Sequence, residues 1–143
     1  MRRVVITGLG TINALGADAP TSFARMLKGE NGIGPITHFD PSGFAAQIAA
    51  TAAWDPMDHF DGADFKKLDP FTMLALVATR EAVADAGLEG MKERDESWRE
   101  RVGTIIGTGI GGIPGIEAQY DVLKERGPRR VSPHFIPKIM ANA

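Results

Sequence analysis

The sequence predicts an α/β protein in which strands alternate with helices and pair in parallel. Two short apolar runs support this, Val4 to Ile6 and Val102 to Ile106. Each is rich in β-branched residues and is followed by glycine, a pattern typical of a buried strand that enters a tight turn. Between them lies a long apolar segment that predicts a helix over Pro70 to Ala86. Strands that alternate with helices are expected to form a parallel sheet covered by helices.

Two helices have clear start and stop signals. Asp18 precedes a first helix that we expect to end at Gly29. Asp69 is placed to cap the helix that begins at Pro70, and Gly87 is placed to end it. The apolar residues of this second helix cover most of its circumference, which predicts that it is buried on several sides.

The remaining elements are less regular. A weak strand is predicted around Gln47 to Ala49, and residues 90–101 form a charged connector that we expect to be a solvated surface segment. A further helix is predicted over Ile116 to Lys124. Pro137 opens a last helix that simply stops at Ala143, without a cap or a following strand. Since a crossover unit needs a partner strand, this end predicts that the chain is an N-terminal fragment.

Composition excludes several classes of function. The chain has 143 residues, and its 43% hydrophobic and 24% charged residues argue for a folded domain, or part of one, rather than for disorder. A net charge of −2 provides no global basic field for nucleic acid or for an anionic membrane. No run approaches the about 18 apolar residues of a membrane span, and no secretory signal is evident, so we expect a cytoplasmic protein. There is no cysteine, which excludes disulfides, thiolate metal sites and a cysteine nucleophile within this chain.

Two motifs admit alternative interpretations. The glycines of Gly107 to Gly112 either form a tight turn or cradle a dinucleotide, although their spacing departs from G-x-G-x-x-G. Tyr120 and Lys124 have the Tyr-x-x-x-Lys spacing of the short-chain dehydrogenases, in which a lysine assists proton transfer by a tyrosine. The serine that this family needs upstream is absent, which argues against the assignment. Because of the Tyr-x-x-x-Lys spacing, an NAD(P)-dependent short-chain dehydrogenase fragment is kept as an alternative.

No histidine stands at metal-ligand spacing, so no metal site is predicted.

Six short motifs follow one another in a fixed order. They are Val4 to Gly10, Gly29-x-x-Gly32-Ile33, His38-Phe39-Asp40, Asp85-Ala86-Gly87-Leu88, Gly107 to Gly112, and Gly127 to Pro137. Together they resemble the N-terminal third of the bacterial β-ketoacyl-[acyl-carrier-protein] synthases, and the similarity covers essentially the whole chain. The isoleucine within the glycine run and the Ser-Pro-x-Phe-Ile-Pro segment favour the synthase II type over synthase I.

The resemblance implies a thiolase-like fold of layered α/β/α/β/α architecture, of which residues 1–143 would be an incomplete N-terminal domain. It implies condensation of an acyl thioester with malonyl-acyl-carrier-protein, with loss of carbon dioxide, in fatty acid elongation. It also implies a homodimer that meets acyl carrier protein and uses no cofactor. The family's catalytic cysteine, two histidines and lysine lie downstream of the matched region. We therefore expect no catalytic residue in this chain and no activity from it alone.

The resemblance assigns some residues to the walls of the acyl pocket. Ile110 matches the residue that gates this pocket. Phe135, with Ile136 and Pro137 around it, matches the segment that crosses the dimer interface to line the partner's pocket.

Other residues match a docking surface. Lys66 and Lys67 match basic residues that are expected to meet the acidic carrier protein, and Arg129 and Arg130 extend that patch. Residues 62–63 are Gly and Ala, whereas the family often has a further basic pair at these positions. This difference would weaken the binding of carrier protein. A non-catalytic module that binds carrier protein or pairs with a full synthase is the second alternative.

Overall fold

The computed structural model describes residues 3–90, 93 and 96–140 and divides into two compact units. Unit 1 comprises residues 1–55 and 77–89, and unit 2 comprises residues 56–76 and 90–143. The boundary between them falls inside one long helix. The helices are α1 (Ala19–Leu27), α2 (Asp64–Lys67), α3 (Pro70–Asp85), α4 (Glu96–Arg99), α5 (Ile113–Arg126) and α6 (Phe135–Ile139), with 3-10 turns at Pro56–Asp58 and Pro128–Arg130.

A small antiparallel sheet lies in unit 1. Strand β1 (Ile33–Pro35) pairs with β2 (Ile48–Ala50), with Gly34 opposite Ala49. The strand predicted around Gln47 to Ala49 is confirmed one residue further along the chain. Strand β1 was not predicted, because a three-residue run containing glycine and proline carries no alternating pattern.

The two strands expected at Val4–Ile6 and Val102–Ile106 are not formed, so the predicted parallel pairing is absent from the part of the chain that the structure describes. Val4 and Ile105 are each 96% exposed. The physical reason is that a strand is defined by a neighbour that satisfies its backbone hydrogen bonds, and neither segment has one among the described residues. The mixed helix-and-sheet class still agrees with the sequence prediction.

The predicted helix ends are confirmed for α1 and α3. The Thr21 amide donates to Asp18 Oδ1 at 2.6 Å, and this hydrogen bond holds the pKa of Asp18 below its ordinary value. Gly29 and Gly87, which follow α1 and α3, have positive φ angles of 70° and 64°, the left-handed conformation that favours glycine.

In unit 1 an extended segment lies directly on the second half of α3. A Cβ atom added to Gly8 would stand 2.2 Å from the Ala82 carbonyl oxygen, and one added to Gly10 would stand 2.0 Å from that of Ala78. Only glycine permits an approach this close. The amides beside Gly10 are bound by helix carboxylates: Leu9 donates to Asp85 Oδ2 at 2.9 Å and Thr11 donates to Glu81 Oε2 at 2.8 Å.

Glu81 also joins this segment to α1. Its Oε1 accepts the Ala19 amide at 2.7 Å, so one carboxylate receives hydrogen bonds at the start of α1 and at Thr11. Ser22 of α1 is buried and its hydroxyl accepts from Asn13 Nδ2 at 3.0 Å. Polar contacts with α3 therefore position the N-terminal part of unit 1.

In unit 2 the apolar core is small. Phe60 and Met73 are 6% and 2% exposed. Helix α5 begins at Ile113, three residues before the predicted start, and Gly127 ends it with a φ of 79°. Helix α6 begins at Phe135 rather than at Pro137 and ends at Ile139; the predicted helical residues 141–143 lie outside the described part of the chain.

Helix α3 is less buried than its composition predicts. Met73 and Val77 are buried, whereas Leu76 is 37% exposed and Ala84 is exposed. The elements described cover only part of its circumference, so its remaining apolar faces are exposed, as the sequence predicts for this segment taken alone. The charged connector contains the short helix α4, whose polar residues are exposed; residues 91, 92, 94 and 95 of the connector lie outside the described part.

Candidate functional site

The run Gly107–Gly112 forms a loop that presents an isoleucine. The Gly111 amide donates to Thr108 Oγ1 at 3.2 Å, which closes the loop on itself. Gly111 has a φ of 83°, so this position favours glycine. Ile110 stands between these two residues and is 73% exposed. The loop therefore presents an exposed apolar side chain to its surroundings.

The base of this loop is attached to the end of α6. The Gly112 amide donates to the Ile139 carbonyl oxygen at 3.4 Å. The sequence-predicted wall residues are thus brought to neighbouring elements: Ile110 lies on the loop, and Phe135, Ile136 and Pro137 lie on α6. Phe135 is half-buried, and Ile136 is 55% exposed.

A cavity of about 310 Å³ lies beside α6. Its lining residues are Lys67, Leu68, Thr72, His134, Pro137, Lys138 and Met140. The lining combines two lysines and a histidine with apolar residues, a composition that suits a ligand with an anionic group and an apolar body. Of the sequence-predicted residues, Lys67 and Pro137 contribute to this cavity, while Ile110 lies outside its lining. Lys138 is held in place, since its Nζ donates to the Phe65 carbonyl oxygen at 3.0 Å.

The predicted docking residues are all exposed and all in unit 2. Lys66 and Lys67 form the last turn of α2, and Arg129 and Arg130 lie in the 3-10 turn that follows α5. Their side chains are therefore accessible to solvent. The structure places the two pairs on separate elements.

A buried carboxylate that the sequence identified only as a helix cap lies against the loop base. Asp69 is 3% exposed, and its Oδ2 would stand 2.6 Å from a Cβ added to Gly112 and 2.8 Å from one added to Gly115. Burial raises the pKa of Asp69, while a hydrogen bond from the Phe71 amide and the charge of Lys138 act in the opposite direction. The contact joins residues more than 40 positions apart, which sequence spacing does not reveal.

The tyrosine and lysine of the dehydrogenase alternative share a face of α5. The Lys124 ammonium lies 5.3 Å from the centre of the Tyr120 ring, and both residues are exposed. This is the geometry of a surface cation–π contact.

Within residues 3–90, 93 and 96–140 no three His, Cys, Asp or Glu side chains are grouped to hold a metal ion. No helix in the same residues has the length and apolar character needed to cross a membrane.

The whole chain matches a known protein family. Residues 1–143 match the family described as "Beta-ketoacyl synthase, N-terminal domain", and the chain belongs to this family. This membership replaces the short-chain dehydrogenase alternative.

Individual relatives and a solved structure agree with this assignment. The 3-oxoacyl-[acyl-carrier-protein] synthase 2 of Coxiella burnetii is 44% identical over 142 residues, which are 99% of this chain and 33% of the relative. The enzyme of the same name from Staphylococcus aureus is 40% identical over 140 residues, 97% of this chain and 33% of the relative. A β-ketoacyl synthase from Burkholderia phymatum superposes with a TM-score of 0.74 at 27% identity, covering 98% of this chain and 34% of that one. The predicted thiolase-like α/β class is confirmed, and the chain spans about a third of the length of these curated relatives.

Proposed function

We propose that this chain is the N-terminal part of a 3-oxoacyl-[acyl-carrier-protein] synthase II, an acyltransferase that condenses an acyl thioester with malonyl-acyl-carrier-protein in fatty acid elongation. The observation that carries the proposal is the 44% identity over 99% of the chain to a relative named for that activity. The exposed Ile110 on its closed loop is compatible with a wall of an acyl pocket.

The proposal places the reaction centre outside these residues. Formation of an acyl thioester on the enzyme needs a thiolate, and residues 1–143 contain no cysteine. The catalytic cysteine, histidines and lysine would therefore come from other parts of the enzyme. Residues 1–143 would supply a pocket wall (Ile110, Phe135, Ile136 and Pro137) and a docking surface, in a cytoplasmic homodimer, and would be inactive alone.

The pocket role is tested in the full-length protein encoded by the gene that contains this sequence. Condensation is measured as release of carbon dioxide from malonyl-acyl-carrier-protein with acyl primers of increasing length. We expect Ile110→Phe to lower kcat/KM for long primers by about 10- to 100-fold, because a larger ring shortens the pocket, while short primers keep most of their rate. Ile33→Phe, which enlarges an isoleucine on β1 that is 53% exposed, is the matched control. Equal losses for all primer lengths would reject the pocket role of Ile110.

The docking role is tested by reversing charge. An acidic carrier protein should be attracted by Lys66, Lys67, Arg129 and Arg130, with an affinity that falls as salt screens the charges. We expect Lys66→Glu to raise KM for the carrier-protein substrate and to reduce its salt dependence, whereas Lys28→Glu, at an exposed lysine of unit 1, leaves both unchanged.

A second candidate is a non-catalytic module that binds carrier protein or dimerises, which the four exposed basic residues of unit 2 favour. It predicts salt-sensitive binding of carrier protein with no release of carbon dioxide by the full-length protein. Condensation activity would reject this candidate, and failure to bind carrier protein at low salt would reject its carrier-binding form.

A further inference from the structure

The carboxylate of Asp69 fills a space left by two missing side chains. Asp69 immediately precedes α3, and its Oδ2 lies where a Cβ atom of Gly112 or Gly115 would clash, at distances of 2.6 Å and 2.8 Å. Real Cβ atoms essentially never come this close to another heavy atom. The two glycines therefore leave a flat surface at the start of α5, here called the seat, and the Asp69 carboxylate packs against it.

The carboxylate lies beside the starts of two helices. Asp69 receives the Phe71 amide at the start of α3, and its Oδ2 lies at the first turn of α5, where helix dipoles favour negative charge. Lys138 adds a positive charge from α6. A carboxylate withdrawn from water is costly, and these groups offset that cost only while they stay next to it. The arrangement therefore opposes separation of the starts of α3 and α5.

The glycine-rich loop is anchored immediately beside this contact. Gly112 is both its last residue and part of the seat, and the Gly112 amide donates to the Ile139 carbonyl oxygen. Gly111 also lies close to Ile139, since an added Cβ would stand 2.6 Å from the same oxygen. The loop base thus lies against both Asp69 and Ile139 of α6, and Ile110 stands two residues from it.

We infer that Asp69 is a positioning residue that fixes the base of the loop and thereby sets where Ile110 stands. The inference rests on the proposed function, in which Ile110 is a wall of the acyl pocket. In that enzyme Asp69 sets the acyl-chain length that is accepted, without touching the substrate. The carboxylate acts through its fit against Gly112 and Gly115.

The test uses the full-length protein and a pair of complementary substitutions. Gly115→Ala adds a methyl group that forces the carboxylate away, although alanine is the better helix former. Asp69→Ser removes the carboxylate and leaves the seat empty, while its hydroxyl still caps α3. In the double variant the alanine methyl occupies space that the carboxylate has vacated. Gly103→Ala is the control, since a Cβ added there meets nothing within 4 Å.

Two readouts are compared. Hydrogen exchange of peptides covering residues 107–112 reports whether the loop is held, independently of activity. The ratio of kcat/KM for long and short acyl primers reports where the pocket wall stands. We expect each single variant to exchange faster in the loop and to change the ratio by about 10- to 100-fold, the size of discrimination that a hydrophobic pocket achieves for one methylene. We expect the double variant to recover part of both effects and the control to match the wild type.

The outcomes separate the inference from the proposed function. Unchanged loop exchange in both single variants overturns the role of Asp69. Faster exchange with an unchanged long-to-short ratio, in a protein that condenses acyl primers, overturns its effect on specificity. A wild-type protein that condenses no primer rejects the proposed function, and hydrogen exchange alone then decides whether Asp69 holds the loop.

Discussion

Replacing Gly10 with alanine tests whether the extended segment of unit 1 lies directly on α3. The added methyl carbon would stand 2.0 Å from the Ala78 carbonyl oxygen and 2.7 Å from the Ala82 amide nitrogen, whereas ordinary contact begins at 3.4 Å. Both obstacles are helix backbone, which has no rotamer to change. The segment must therefore lift away from the helix.

The cost of this displacement follows from the contacts that it disturbs. Overpacking typically costs about 1–3 kcal/mol, and rigid backbone on both sides places Gly10→Ala at the upper end. Lifting the segment also strains the hydrogen bond from the Thr11 amide to the Glu81 carboxylate, and bonds to charged groups contribute about 1.5–3 kcal/mol each. We expect the free energy of unfolding to fall by about 3 kcal/mol or more.

The assay is denaturation of the full-length protein, with Gly43→Ala as the matched control. A Cβ added at Gly43 meets nothing within 4 Å, so this variant should stay within about 0.5 kcal/mol of the wild type. Gly10→Ala should lower the apparent melting temperature by about 5 °C or more. Equal stability of the two variants would show that the segment does not lie on α3 as described.

Four further outcomes follow from the same structure. Met73→Ala removes a side chain that is 2% exposed and should cost about 2–5 kcal/mol in chemical denaturation. Glu81→Gln turns one of two accepting oxygens into a donor that faces a backbone amide, and should cost about 1.5–3 kcal/mol. Since burial raises the pKa of Asp69 above its ordinary value of 3.8, the stability it contributes is fully present below pH 3.8 and is lost as the pH rises through the raised pKa. Asp69→Asn has no carboxyl group to ionise and loses no stability in this way. Its free energy of unfolding, relative to that of the wild type, should therefore increase as the pH rises from 3.8 through the raised pKa. Residues 1–143 expressed alone should show no sharp cooperative melt, because Val4 and Ile105 are each 96% exposed.

Each of these outcomes has a comparison that would contradict it. Met57→Ala, at a methionine 67% exposed, should cost far less than Met73→Ala. Glu117→Gln, at an exposed glutamate of α5, should leave stability unchanged, and a similar loss there would refute the role of Glu81. An unfolding free energy of Asp69→Asn that keeps a constant difference from the wild type at every pH would refute the raised pKa of Asp69. A monodisperse, cooperatively melting monomer of residues 1–143 would contradict the last prediction.

Local signals were sufficient to predict the principal helices. The capping carboxylate of Asp18 and the glycine at position 29 mark the ends of α1 because both act within a few residues of the backbone groups they satisfy. The start of α5 was placed too late, since the glycine run concealed a helix that begins directly after Gly112 with a proline in its first turn.

The sequence patterns do not predict which residues distant in the chain come into contact. Val102 to Ile106 has the composition of a strand, but composition does not supply a pairing partner. Ile110 was identified through a family resemblance, whereas the seat of Asp69 on Gly112 and Gly115 depends on the path of the chain between them. The sequence predicts Asp69 as a helix cap, whereas its contact with the two glycines joins residues more than 40 positions apart.

The unpaired apolar segments have a consequence for biosynthesis. Val4 to Ile6 leaves the ribosome about 100 residues before Val102 to Ile106, and translation proceeds at about 5–20 residues per second, so the first segment precedes the second by roughly 5–20 s. Neither segment has a strand partner among the described residues, so the β-branched run made first is open to pairing with other nascent chains throughout that interval. We therefore expect the chain to engage holdase chaperones through its N-terminal residues early in synthesis, and its yield to depend on translation speed.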